Sequence, residues 1–113
     1  MRQILFLTWL LAAPMALAAP DCGQLLLAAR AEQVAVPAWQ AARRVTGKDR
    51  LHFHSAPERN CRLKDVFVVP GDQVQALQEY GIYTEVQYVH PRSGRVAVGW
   101  VESGRLDESL VGR

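Results

Sequence analysis

Three groups of residues in the 113-residue chain are of types that carry out chemistry. The first is His52-Phe53-His54, since alternate positions of an extended strand put both imidazoles on one face, as a metal site requires. A third ligand would have to come from His90, Asp49 or Glu58. Metal sites need three or four convergent ligands, and a histidine pair on a strand reads first as surface, so neither a metal nor any other cofactor is expected. The second group is Cys22 and Cys61. A Cys61 thiolate beside His52 or His54 would imitate a thiol hydrolase, but two cysteines in an oxidising compartment pair instead, closing a loop of about 40 residues for up to ~4 kcal/mol of stabilisation. The third, Asp107-Glu108, lies in a stretch too poor in apolar residues to hold a catalytic geometry. Ser55 has no nucleophile-elbow context and no glycine-rich phosphate loop is present, so a non-enzymatic protein is expected.

The compartment is read from the first 18 residues. One cation, Arg2, precedes an apolar run from Ile4 to Ala13, and Ala16-Leu17-Ala18 follows with small residues at both ends. This is the pattern of a cleaved secretory signal, and the run is too short for a spanning helix, so a periplasmic or secreted protein with no membrane attachment after cleavage is expected. Thirteen basic against eleven acidic residues leave a net charge of only +2. That balance gives no reason to expect nucleic acid as a partner.

The rest of the chain divides by period. From 19 to 48 a helical segment is expected: Leu25, Leu26, Ala29 and Val34 recur at helical spacing. Pro37 divides it, and a second helix is predicted from Ala38 to Val45, stopping at Gly47, with Trp39 and Val45 buried. From 49 to 106 the pattern alternates. Leu51, Phe53 and Ser55 face one way and the two histidines the other; Ala56 to Lys64 is a polar loop, and Val66 to Val69 a buried strand. Pro70-Gly71-Asp72 predicts a type II turn into a strand from Gln73 to Glu79, and Tyr80-Gly81 leads into a strand from Ile82 to His90. Pro91-Arg92-Ser93-Gly94 is a hairpin tip, and Arg95 to Val101 returns antiparallel. Leu106 is the expected last core residue, and 107–113 a tail.

Five short strands in this order resemble the bacterial SH3-like (SH3b) family. The likeness rests on Arg50 to Pro57 (RLHFHSAP) as an opening strand, Gly71 to Val74 (GDQV) as a turn and strand, and Gly81 to Tyr88 with Gly99-Trp100-Val101 as the glycine-aromatic and closing strands. The resemblance covers about half the chain and excludes the N-terminal segment with Cys22. It implies a mainly β fold, a small five-stranded barrel preceded by a short helical segment, with an aromatic-lined groove between its long loops. Tyr80, Tyr83 and Trp100 fall at or beside the groove positions, where aromatic side chains offer large contact area. His54, Arg59 and Glu102 are expected to supply polar contacts at the rim.

Two functions fit a barrel dressed with rings rather than reactive groups. One is a periplasmic inhibitor of the immunity-protein type, whose partner is a secreted toxin or wall-degrading effector. The other is a cell-envelope module binding a peptidoglycan stem peptide. Targeting modules are useful when they carry a catalytic cargo, and none is present here, which favours the inhibitor. Fold alone does not decide between them.

Overall fold

The computed structural model describes residues 21–108. The expected signal segment and the residues beyond Glu108 lie outside that range.

Helix α1, Cys22–Glu32, starts where Asp21 caps it: the Asp21 carboxylate accepts a hydrogen bond from the Gln24 amide at 3.2 Å. Such a cap satisfies one of the amides a helix leaves open at its start. The helix ends at Gln33, whose amide donates to Ala29 O at 2.7 Å. Only Ala29 is fully buried, so α1 lies on the surface of the domain.

The second predicted helix is not formed. Val34–Ala35 is a two-residue strand, β1; Ala38–Gln40 is one 3-10 turn; and Ala42–Val45 is strand β2. The Ala-Ala-Arg-Arg-Val composition suits a helix, but β2 fills a slot between two other strands, and ladder pairing on both sides overrides a propensity of a few tenths of a kcal/mol per residue. Along β2 Arg43 and Val45 point inward and Arg44 outward. Trp39, expected in the core, is instead 70% exposed on the 3-10 turn.

The remaining strands are β3 (Leu51–His54), β4 (Arg62–Val68), β5 (Gln73–Tyr80), β6 (Tyr83–Val89), β7 (Val96–Glu102) and β8 (Leu106–Asp107). All pairings are antiparallel, in the order β4-β3-β7-β6-β5-β2-β8, with β1 added beside β5. Among the described residues the fold is thus mainly β, one curled sheet with a single α-helix and eight strands rather than five, and the first of the curled path is β2, upstream of the expected boundary at residue 49. Asp107, placed in the tail by sequence, belongs to β8 and pairs with Arg44.

The core sits in the concavity of the sheet: Val45, Leu51, Phe53, Val68, Val74, Val86 and Val101, with Leu63, Val66, Tyr88, Ala97 and Leu106 packed around it. Three connections fix the register. Gly71 has φ +97° at the predicted turn, with the Asp72 amide bonded to Val69 O at 3.0 Å. The His90 amide donates to Arg95 O at 2.8 Å and closes the β6–β7 tip. Gly99 lets β3 cross β7, since a side chain there would stand 2.9 Å from the Phe53 ring.

Candidate functional site

Folding β3 onto β4 brings together residues that are far apart on the extended chain. His54 pairs with Arg62 across this hairpin, and β4 carries extra residues between Arg62 and Phe67, which bulges it away from β3. The His54 backbone also pairs with Trp100 of β7, so the hairpin leans over the β6–β7 end where Tyr83 and Glu102 are paired. An open cleft of about 250 Å³ results, lined by Arg50, His52, His54, Arg59, Arg62, Tyr83 and Glu102.

Each wall is held from behind. His54 is 5% exposed, and its Nδ1 donates to the Trp100 carbonyl at 3.0 Å, which fixes the ring and leaves Nε2 as its other polar atom. The Tyr83 ring meets the His54 ring edge to face, with centroids 5.2 Å apart. Burial, helped by the charges of Glu102 and Glu58 and opposed by Arg59, pushes the Tyr83 hydroxyl above its ordinary value of 10, so it remains a hydrogen-bond donor. His52 packs on Phe67 and accepts from the Arg62 guanidinium at 3.5 Å, a long bond. Burial, then the charges of Arg62, Arg50 and His54, lowers the His52 pKa against a smaller pull from Asp65. Arg50 lies over the Phe67 ring at 4.4 Å.

Arg59 is placed by the disulfide. It opens the 3-10 turn Arg59–Cys61, in which Glu58 caps the Asn60 amide, and Cys61 is bonded to Cys22 with Cα atoms 5.8 Å apart. The expected pairing is therefore formed, and it ties α1 to the loop that carries one wall of the cleft.

Four of the six predicted binding residues converge here: His54, Arg59, Tyr83 and Glu102. Two do not. Tyr80 lines a separate hollow with Glu32, Val34, Glu79 and Gly81. Trp100 is 1% exposed, inside the domain, with the Arg30 guanidinium of α1 5.7 Å from its ring centroid, so it supports the cleft and does not line it. Sequence reasoning missed Arg50 and Arg62 and considered His52 as a metal ligand or a partner of the Cys61 thiolate, not as a binding residue. The strand period held a signal for Arg50, since Arg50, His52 and His54 fall at every second position. His90, the proposed third metal ligand, is at the β6–β7 tip, where its Nδ1 accepts from the Arg92 and Ser93 amides. Among the described residues no group of three or more His, Cys, Asp or Glu is placed to hold a metal ion.

Outside the cleft, Val89, Val96 and Val98 are exposed; Val89 and Val96 pair across β6–β7, with Val98 two residues on. Among the described residues no helix is long and apolar enough to cross a membrane. No protein-family model matches the chain, and neither does any curated protein or solved structure.

Proposed function

We propose that this is a non-catalytic, exported binding protein with an SH3-like barrel, and that it acts in the periplasm as a protein-binding inhibitor of the immunity-protein type. The barrel reading is supported by the path β8-β2-β5-β6-β7, five neighbouring strands with the β3–β4 hairpin inserted between β2 and β5 and a 3-10 turn before the last strand. On this reading β2 opens the barrel and the hairpin is its long first loop. Export is supported by the Cys22–Cys61 disulfide, which persists in oxidising compartments.

The observation that carries the functional reading is the convergence of Tyr83, His54, Arg59 and Glu102 on one open cleft at the mouth of the long loop. A cleft of polar and aromatic groups suits a protein surface, where a buried anchor surrounded by complementary contacts supplies affinity; the exposed Val89, Val96 and Val98 lie towards the opposite end of β6–β7 and are not part of it.

The test is to mix the purified protein with the product of a neighbouring toxin-like reading frame. A one-to-one complex that abolishes toxicity, and is weakened by Arg59→Glu, is the expected result. Saturable retention on purified sacculi, lost in Arg59→Glu and accompanied by no protection from any toxin, would replace this reading with the peptidoglycan one.

A further inference from the structure

The cleft is unusual in its charge. Arg50, Arg59 and Arg62 converge on a volume of about 250 Å³, and among the described residues none of the three has a carboxylate within ion-pair distance. Among the described residues Arg30 and Arg43 each meet a glutamate while Arg44, Arg92, Arg95 and Arg105 do not, so what sets the cleft apart is that three unpaired guanidiniums share it. Three guanidiniums at one opening repel one another, and Glu102 on the same wall offsets only one of them.

A second, independent observation points the same way. His54 and Tyr83 are both more than nine-tenths buried, and both line the cleft. Among the described residues neither His54 Nε2 nor the Tyr83 hydroxyl has a hydrogen-bond partner, and neither is sealed off, the one buried side-chain polar atom without a partner being Trp100 Nε1; both open onto the cleft, where a ligand can meet them.

We propose that this cleft is a carboxylate-binding site, and that its ligand is an acidic side chain of a peptide segment. Arg59 and Arg62 supply the charge-assisted, fork-shaped contacts, and the Tyr83 hydroxyl donates a further bond. The class of anion follows from the binding-protein reading, since the anion that a protein surface presents is a carboxylate; Glu102 lines the same wall and offsets one of the three guanidiniums. Glu102 also offers an acceptor for the amide groups flanking the acidic residue. The assignment rests on the binding-protein reading above and names what its site takes hold of.

Isothermal titration with a blocked tetraglutamate peptide, acetylated and amidated at its ends, tests the site without any partner protein. Saturable binding is expected, with nuclear magnetic resonance shifts confined to Arg50, His52, His54, Arg59, Arg62 and Tyr83. Arg59→Gln with Arg62→Gln is expected to weaken it by about tenfold or more, as loss of a charged hydrogen bond does. The tetraglutamine analogue is expected not to bind. Both arginines are exposed, so the double variant keeps the fold, and circular dichroism checks this. Absence of saturable binding, equal binding by the double variant, or inorganic phosphate bound as tightly as the peptide at matched ionic strength would each overturn the assignment. Peptide binding without toxin protection leaves the carboxylate site standing and removes the inhibitor. Toxin protection retained by the double variant does the reverse.

Discussion

Arg30 and Glu85, 55 positions apart, meet through two parallel hydrogen bonds of 2.6 and 2.8 Å, and the same guanidinium stands 5.7 Å from the Trp100 ring centroid. One side chain thus closes the surface end of α1 over the only part of β6–β7 that buries a carboxylate and an indole together. The Glu85 side chain is 8% exposed and Arg30 39%, so the glutamate depends on the pair more than the arginine does.

Arg30→Ala would leave the Glu85 carboxylate buried without its partner. Removing one member of a fully buried pair costs 3–5 kcal/mol, and the exposure of Arg30 reduces that to about 2 kcal/mol. Urea denaturation measures it. A loss below about 0.5 kcal/mol would mean that α1 contributes through its disulfide alone.

Reduction of Cys22–Cys61 is expected to lower stability by up to ~4 kcal/mol, the entropy of a loop with a sequence separation of 39. It should also loosen α1 from Trp100. Indole fluorescence in a Trp39→Phe background, which removes the exposed tryptophan, should shift to the red on reduction before the sheet unfolds. An unchanged spectrum would show that Trp100 is shielded without the tether.

Gly99→Ala places a methyl group 2.9 Å from the Phe53 ring and 3.2 Å from the His54 carbonyl, where β3 crosses β7. Overpacking of this kind costs about 1–3 kcal/mol. Because His54 hangs on this crossing, peptide affinity should fall together with stability. Gly104→Ala, where an added methyl group meets nothing, is the control and should change neither by more than about 0.5 kcal/mol.

His52 gives the protein a pH dependence of known sign. Its pKa is lowered in the fold from an ordinary value of 6.5. The unfolded chain therefore takes up this proton more readily, so the contribution of His52 is complete above about pH 6.5 and is lost as pH falls through the folded value. Stability should decline on acidification in that window, and less so in His52→Gln; superimposable curves would remove His52 as the source. A bound carboxylate raises the His52 pKa, so peptide affinity should rise over the same window.

The parts of the fold that could be read from sequence are those in which local signals agreed. Pro70-Gly71 opens β5 and Pro91 to Gly94 separates β6 from β7, the alternation of Thr84 and Val86 marks the core face, and the cysteine pair follows from an even count. Strand β2 was hidden because Ala42 to Val45 has the composition of a helix, and only the neighbours β5 and β8 make it a strand. Trp100 was ambiguous for a related reason: α1 covers it through Arg30, a contact between distant positions that no local pattern records. In the cleft, Tyr83 and His54 could be named from the family resemblance. Arg62 could not, because a single arginine in a polar loop looks solvated until the hairpin sets it against His54.

Strand β2 lies between β5 and β8, joined to the last strand by Arg44 with Asp107 and Val45 with Leu106, and by the Thr46 amide to Arg105 O at 2.8 Å. The seam therefore needs residues near position 106 to have emerged before its other half, some sixty positions earlier, has anything to zip against. Such distant pairing is slow to form. A nascent chain of this design stays loose until its last strand is made, and its sheet closes only when the two ends of the sequence meet.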